Sequence, residues 1–582
     1  MVVNNMVIKE LDDNITSHDN DFKSYNIKKN LLWDRRSDFM SRSYPIKVWS
    51  NNQITQIECN EDENLLDAIR RQGIPYYSDC GGRGTCGKCK IKMLNGIADL
   101  GPEEIRRLSE QEQRGGYHLA CRTYPKGELE IELAAYDERL EAVVYAKDIK
   151  PYDPLNQSLV EEYAVAIDLG TTTLAFQLVN CQTGVMIASL SSINPQRRLG
   201  ADVISRIKAS NDSRREQLRQ LIHEALLDGI DQLRKEASVP AEKLRHITIA
   251  GNTTMIHLLM GYSCEELGKY PFQPAHIGII QKEFSEFFEE VRRQRSSHKE
   301  ENAVDDMIRA KVTTLPGISA FVGGDIVAGL GVCGFDHSKE ICLFLDLGTN
   351  GELAIGNRER LLVTSTAAGP AFEGGNISIG MGSVPGAINK ITMREGRIYP
   401  ETIGGQKPIG ICGTGVIELC SELLKTGIID ATGLLREDYF EEGFLIDQEA
   451  EKQLRFLQRD IRELQLAKAA IRAGIELLIK SFGCTYGEID RVYLAGGFGY
   501  VLPVKKSVHI GLLPEQLEEK MVAIGNSSLA GAIRYTMDPD FPARLDKLVG
   551  MAQEIHISNQ EDFQELYIRF MNFTSSEDET LE

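Results

Sequence analysis

Four cysteines, Cys80, Cys86, Cys89 and Cys121, stand in SDCGGRGTCGKCKIKML and HLACRTYP with the spacing C-x5-C-x2-C-x31-C. Three thiolates on one tight loop and a fourth from a later strand can enclose a [2Fe–2S] cluster. The glycines between them, Gly81, Gly82, Gly84 and Gly87, matter as much as the sulfurs. A loop folded around a cluster needs positive φ angles and amides free to point at sulfur. The alternative is a zinc site, since C-x2-C also opens many of those. Zinc sites usually pair two such knuckles, whereas here three ligands crowd together and the fourth stands apart. The spacing points to electron transfer.

A second group of chemically capable residues occurs twice. YAVAIDLGTTTLAFQLVN (163–180) and CLFLDLGTNGELAIGN (342–357) share an apolar strand, then D-L-G-T, a small polar residue and a second apolar strand. The turn glycines, Gly170 and Gly348, let backbone amides approach a phosphate. Thr171, Thr172, Thr349 and Asn350 add side-chain donors, while Asp168 and Asp346 can hold a hydrated Mg²⁺. A single Asp-x-Gly turn is weak evidence, because β-turns often use it. Two copies in matched settings are stronger. They imply two similar subdomains and not a solenoid, whose period would be far shorter. A third element, RVYLAGGFGY (491–500), is an apolar strand opening into Gly496, Gly497 and Gly499, which suits an adenosine lying flat against backbone. A plain tight turn would look the same.

These residues need elements to position them. From Tyr44 onward, PIKVWSNNQITQIECNEDENLLDAIRRQG reads as two alternating strands and a short helix leading into the cysteine loop. KIKML (90–94) and GELEIEL (127–133) supply further strands around Cys121. Plant-type ferredoxins use nearly this cysteine pattern, with one residue fewer in the first gap, and the layout resembles their β-grasp module. The expected organisation is a polar extension over 1–44, a [2Fe–2S] ferredoxin-like domain over 45–135 and a linker over 136–161. Two ATPase subdomains follow over 162–340 and 341–560, then a frayed acidic tail over 561–582. Alternating strand-like and helical runs beyond the linker indicate α/β layers. Within them, IRELQLAKAAIRAGIELLIK (461–480) has apolar residues at Leu464, Ala467, Ile471, Ile475 and Leu478, the period of an amphipathic helix.

Composition narrows the classes. The 582 residues are too many for one core. Apolar residues make up 42% and charged ones 26%, ordinary for a globular protein. A net charge of −20 without a basic run disfavours nucleic acid and anionic membrane surfaces as partners. No apolar run approaches the roughly 20 residues that span a bilayer, and no secretory signal is evident. The other eight cysteines form no framework, which fits a reducing cytoplasm.

The order DLGTTT, GGDIVAGLG, DLGTNGE, AGGFG and GNSSLAGA resembles the five-element ATPase core shared by actin, sugar kinases, acetate kinase and the heat-shock chaperone ATPase. The resemblance implies a duplicated, actin-like (ribonuclease H-like) core. Asp168–Thr172 and Asp346–Asn350 would be its phosphate loops, and Gly496–Gly499 its adenosine loop. Gly323–Gly329 and Gly525–Gly531 would open its two connecting helices. Asp325 falls where that family places a carboxylate or amide near the attacking water, although a helix N-cap is the simpler role. Gln465, Lys468 and Arg472 would line the base, although a solvated helix face explains them nearly as well.

A plant-like cluster module fused to this core resembles the ATP-dependent reductive activators of corrinoid proteins. These return accidentally oxidised Co(II) to Co(I) in the methyl-transferring corrinoid proteins of anaerobes. The likeness covers about 45–555 and includes NPQRRLGADVISRI (194–207), AGNTTMIHLLMG (250–261), PGISAFVGGDI (316–326), TAAGPAFEGGNI (366–377) and ICGTGVI (411–417). The fold class expected is α/β multidomain, a β-grasp [2Fe–2S] domain before the duplicated ATPase core. The resemblance implies a [2Fe–2S] cluster, ATP and Mg²⁺ as cofactors. It implies a corrinoid protein and a low-potential donor such as ferredoxin or flavodoxin as partners, and leaves a homodimer open. Two alternatives are an electron-donating activator of another low-potential enzyme and a small-molecule kinase with a redox-sensing ferredoxin domain.

Overall fold

The computed structural model describes residues 42–50, 53–72, 74, 76, 84, 87, 89–108, 110–133, 161–296, 308–394, 396–447, 453–557 and 560–573. The expected extension and linker lie almost wholly outside these residues, although the first strand already begins at Ser43. Two compact units make up the chain: one from Met1–Tyr76 and Gly87–Ala135, the other including Tyr136–Glu582.

The first unit is a five-stranded sheet of order β2-β1-β5-β3-β4. Its strands are β1 (Ser43–Ser50), β2 (Gln53–Asn60), β3 (Lys90–Asn95), β4 (Tyr117–Leu119) and β5 (Leu129–Leu133). The first and last strands pair in parallel at its centre, the signature of the expected β-grasp. Alternation sends Ile46, Val48, Leu129 and Ile131 into the core. Leu65, Leu66, Ala68 and Ile69 of helix α1 (Leu65–Arg71) are buried with them. The same helix pins the segment carrying Cys121, because Leu65 N–H donates to the Thr123 carbonyl and Leu66 N–H to that of Ala120. Ala120 N–H in turn donates to the Cys89 carbonyl at 2.8 Å.

Glu104, on helix α2 (Pro102–Arg107), is the unusual core residue. It is fully buried, and its carboxylate accepts the N–H groups of Gly101 at 2.7 Å and Leu119 at 2.8 Å, with His118 Nδ1 at 3.4 Å. It thereby fixes β4, which leads directly to Cys121.

The second unit contains the same sheet twice. In the first copy, β6 (Tyr163–Leu169), β7 (Thr173–Asn180) and β8 (Met186–Ile193) form an antiparallel meander. Helix α3 (Val203–Ala209) follows. β9 (Leu244–Gly251) lies parallel to β6, and helix α4 (Thr253–Met260) comes next. β10 (Ile280–Glu283) covers the edge of β11 (Lys311–Thr314), itself parallel to β9. Helix α5 (Gly324–Cys333) completes this copy.

In the second copy, β12 (Ile341–Leu347), β13 (Gly351–Gly356) and β14 (Leu361–Thr366) repeat the meander. An insertion adds a three-stranded sheet of β15 (Ala387–Arg394), β16 (Arg397–Thr402) and β17 (Gly410–Ile411). It also adds the hairpin of β18 (Phe444–Asp447) and β19 (Leu454–Phe456), then helix α6 (Gln458–Phe482). β20 (Ile489–Ala495), parallel to β12, leads into helix α7 (Gly496–Val501). β21 (Met521–Gly525), parallel to β20, leads into helix α8 (Ser527–Met537), and β22 (Ala552–Glu554) extends the β14 edge. A three-strand meander followed by two parallel strands, used twice, is the duplicated ribonuclease H-like core that the motif order implied. The central strands β6 and β12 are apolar throughout except at their aspartates, as strands covered on both faces must be.

The two copies join through α5 and α8. A Cβ at Gly531 would fall 2.5 Å from the Ala328 Cβ, so the helices cross with no room for a side chain. Ala166, Ala175 and Ala250 of the first sheet share one buried cluster with Phe344 and Val363 of the second. The expectation of a frayed tail over 561–582 is corrected. Helix α9 (Phe563–Met571) packs Phe570 against Ala469 and Ala473 of α6, so the ordered second subdomain runs to Phe573. Phe570 and Phe573 give this acidic stretch the apolar anchors that overall polarity concealed.

Glu104 sets a pH test. Burial raises its pKa, but His118 and the two amides outweigh that, leaving it below its ordinary value of 4.5. A depressed folded pKa means its stabilisation is complete above about pH 4.5 and is lost as pH falls through the lower, folded value. Glu104→Ala should destabilise the first unit by about 1–3 kcal/mol at neutral pH. In urea unfolding, the gap between variant and parent should shrink on acidification.

Candidate functional site: paired thiols and a carboxylate-lined cleft

In the first unit, Cys89 and Cys121 are both buried, with their sulfurs 3.3 Å apart. That is too far for a disulfide and close enough for one metal to bridge after a small adjustment. Cys80 and Cys86 lie outside the described residues. Gly84 and Gly87, which are described, both take positive φ, as a loop turning its amides toward sulfur requires. The two described thiols therefore fit the cluster that the spacing implied. Cys59 differs: burial pushes its pKa up to about 12, and its Sγ donates to the Glu63 carbonyl at 3.4 Å.

In the second unit, each D-L-G-T turn is closed by its glycine amide, and the first turn is one residue wider than the second. Gly170 N–H donates to the Thr173 carbonyl at 3.0 Å, and Gly348 N–H to the Asn350 carbonyl at 2.9 Å. Each turn places an aspartate at the mouth of its sheet. Asp168 is gripped from the opposite copy, by Asn526 Nδ2 and Ser528 Oγ, both at 2.8 Å. Asp325 sits in the first turn of α5, whose N-cap is Gly323, so it is not the cap itself. Its Oδ1 accepts the Ile326 N–H at 2.9 Å.

These carboxyls share one recess, and their acidities record it. Burial raises Asp168, against the pull of the Ser528 and Asn526 donors. Burial, then the charges of Asp168 and Asp346, lift Asp325 to about 7. Burial, then Asp168, lifts Asp346 to about 7. Glu352 is a fourth member that the sequence reading did not single out. It lies directly across from Asp346 in the β12–β13 pair, and so on the same face. Burial pushes it well above the carboxylate range, with Asp346 and Asp325 adding to the effect. The available signal was its place as the second residue of the return strand. In the first copy that cross-strand position is Ala175.

The AGGFG segment reaches the same recess. Gly496 has φ 78°, and a Cβ there would lie 2.4 Å from Asp346 Oδ1, so only glycine lets the chain pass this carboxylate. Phe498 of this loop stacks on Phe372, with ring centroids 5.0 Å apart.

Gln465 and Lys468 are not brought to the cleft, which corrects their expected place beside a nucleotide base. Both are fully buried. Gln465 Nε2 donates to the carbonyls of Thr432 and Met571, and Lys468 Nζ to those of Phe570 and Asn572. They hold the C-terminal end of α9, where free carbonyls and the helix dipole favour a cation. Burial, with Arg472 nearby, pulls the Lys468 pKa down to about 7. Arg472 pairs with Glu476 at 2.7 Å and lies over the Phe570 ring. Their placement depends on α9, a segment the sequence reading left unfolded.

Comparison with known proteins agrees with this architecture. Residues 50–126 match the model of the 2Fe-2S iron-sulfur cluster binding domain. Residues 163–338 match the RACo middle region, and 340–582 the C-terminal domain of RACo, the ASKHA domain. The chain carries the RACo middle and C-terminal domains behind a 2Fe-2S domain. The corrinoid activation enzyme RamQ of Eubacterium limosum is 29% identical over 453 residues, 74% of each chain. The [Co(II) methylated amine-specific corrinoid protein] reductase of Methanosarcina barkeri is 24% identical over 434 residues, 70% of this chain and 76% of that one. A solved reductive activator for corrinoid, iron-sulfur protein superposes with a TM-score of 0.62 at 28% identity, covering 91% of this chain and 98% of that one. Among the described residues, no helix is long and apolar enough to cross a membrane.

Two tests follow from this geometry. Cys89→Ser and Cys121→Ser should each lose or distort the visible iron–sulfur absorption, whereas Cys59→Ser should leave it intact. One zinc per chain with no visible absorption would contradict the cluster. In the cleft, Asp346→Asn should raise the stability of the nucleotide-free protein by roughly 1–2 kcal/mol, as calorimetry can measure. The repulsion among neighbouring carboxylates is then relieved, and the recess stays partly screened by water.

Proposed function

We propose that this protein is an ATP-dependent reductive activator that returns a partner corrinoid protein from Co(II) to Co(I), serving anaerobic methyl transfer or O-demethylation in the cytoplasm. The observation that carries this reading is the union, in one chain, of a buried thiol pair on a β-grasp domain and a duplicated carboxylate cleft of the ASKHA type. Relatives matching 74% and 70% of the chain are named a corrinoid activation enzyme and a corrinoid protein reductase.

Cys80, Cys86, Cys89 and Cys121 would hold a [2Fe–2S] cluster, which supplies one-electron transfer at low potential. A ferredoxin or flavodoxin is the donor class that fits. In the cleft, Gly170 and Gly348 close the two turns with their own amides, and the amides of Thr171, Thr172, Thr349 and Asn350, with the hydroxyls of Thr171 and Thr172, would hold the nucleotide phosphates. Asp168 and Asp346 would hold a hydrated Mg²⁺, whose charge would offset their mutual repulsion. Asp325, in the first turn of α5, is the carboxylate placed to accept a proton from the attacking water. Gly496, Gly497 and Gly499 provide the backbone surface for the adenosine. Gln465 and Lys468 act on the C-terminal helix and not on the nucleotide.

The test combines the domains. With a strong reductant, ATP and Mg²⁺, the protein should convert a partner corrinoid protein from Co(II) to Co(I), visible by absorption. Omitting ATP should stop conversion even with the cluster reduced. Asp346→Ala should leave the cluster reducible and transfer nothing. Equal conversion with and without ATP would reduce the protein to a simple ferredoxin.

A further inference from the structure

The segment NPQRRLGADVISRI (194–207) is distinctive in the sequence, yet it contributes no side chain to the recess described above. Its two ends meet behind the first D-L-G-T turn. Asn194 Nδ2 donates to the Gly170 carbonyl at 2.8 Å, and the Asn194 backbone N–H donates to the Thr172 carbonyl at 2.9 Å. From α3, Arg206 Nη2 donates to the Thr171 carbonyl at 2.6 Å. Every carbonyl of Gly170–Thr172 is thus taken. In a trans peptide, C=O and the next N–H point in opposite directions. Fixing these carbonyls therefore turns the amides of Thr171, Thr172 and Thr173 away from the backing. Neither the Thr171 nor the Thr172 amide finds a protein acceptor among the described residues.

Arg206 is fully buried, and its other donors end on the Gly200 carbonyl at 2.8 Å and Met255 Sδ at 3.1 Å. Burial and then Arg197 pull its pKa down, to about 9, with Asp202 opposing, so it keeps its charge at neutral pH. A buried positive charge under a turn of outward amides favours an anion on the far side. The second turn lacks this device. The Thr349 carbonyl is held by the Gly369 N–H at 2.9 Å, and Thr349 Oγ1 donates to the Glu373 carboxylate at 2.8 Å. A negative group, not a guanidinium, stands beside that turn.

We propose that Asn194 and Arg206 are positioning residues that clamp the first turn so that its amides face the nucleotide phosphates, and that the Arg206 charge makes this turn the stronger phosphate-holding half of the cleft. The clamp rests on the nucleotide reading of the cleft. It acts on the polyphosphate and not on the nucleoside.

Calorimetric titration of the full chain with ATP, ADP and adenosine in Mg²⁺ separates these contributions. Arg206→Met should weaken ATP about ten- to a hundredfold, ADP less, and adenosine by less than about threefold, as expected for loss of a charged contact. Arg206→Lys, which keeps the charge, should recover most of the ATP affinity. Asn194→Ser should show a smaller loss with the same ATP-over-adenosine bias. Equal losses for all three ligands, or an unchanged ATP affinity in Arg206→Met, would overturn the clamp. If Arg206→Met does not fold, Asn194→Ser and Arg206→Lys decide by the same ratio. If the unaltered protein binds no ATP, the nucleotide reading falls and takes the clamp with it. If it binds ATP and the variants keep its ATP-to-adenosine ratio, the clamp alone falls.

Discussion

Four carboxyl groups confined to one recess impose the constraint on which the second unit is built. Asp168, Asp325, Asp346 and Glu352 come from three strands and one helix, and each has its pKa raised above the ordinary carboxylate value by burial and, for all but Asp168, by its neighbours. Left alone, such a group destabilises the fold at neutral pH, because part of it must ionise against its environment. The protein tolerates it by over-determining the backbone around it. Asp168 is held by Asn526 and Ser528 from the other copy. Gly496 passes Asp346 at a distance no other residue allows. The crossing at Gly531 and Ala328 brings the two copies together tightly enough to keep the carboxyls in place. Stability sacrificed at a cleft and recovered in the surrounding core is the usual sign that the cleft binds something of opposite charge.

The same construction explains how the cleft communicates with its surroundings. Asp325 sits in the first turn of α5, and the grip on Asp168 comes from the first turn of α8 and its N-cap Asn526. These are the two helices that cross between the copies. A cation and polyphosphate drawn into the recess would neutralise groups rooted at the start of both crossing helices. Under the proposed function, occupancy would thereby be coupled to the relative position of the copies, because close-packed helices shift between discrete arrangements and do not deform smoothly.

Much of this was legible in the sequence, and the failures have physical causes. The doubled D-L-G-T pattern encodes the duplicated sheet because strand, turn and return strand are local in the chain. The β-grasp order was legible only through the resemblance to plant-type ferredoxins, because its central pair joins the first and last strands of the domain. Helix α6 was evident from its period, but its polar residues were not interpretable from it. Whether Lys468 faces solvent, a base or a helix end depends on α9, about a hundred residues later, whose short amphipathic run sits in an acidic tail. Glu352 was missed because its role comes from cross-strand register with Asp346, not from its own motif. The clamp on the first turn was equally hidden: Asn194 and Arg206 stand 24 and 35 residues from the carbonyls they hold, and only the fold joins them.

The energetic demand on such a machine can be bounded. A plant-type cluster lies near about −400 mV, and cobalamin-type Co(II) is harder to reduce, so delivery under the proposed function runs uphill. For one electron, each ~59 mV of shortfall is a factor of ten in equilibrium constant. An activator that docks about a hundredfold more tightly on the Co(I) form than on the Co(II) form would offset about 120 mV. That requirement is a differential affinity of less than about 3 kcal/mol, the ordinary scale of coupling between two ligands of one protein. The nucleotide therefore need not transfer energy to the electron. It need only favour the arrangement of the two copies that makes this distinction, and a recess whose charge changes on occupancy, anchored at the start of both crossing helices, is suited to that task.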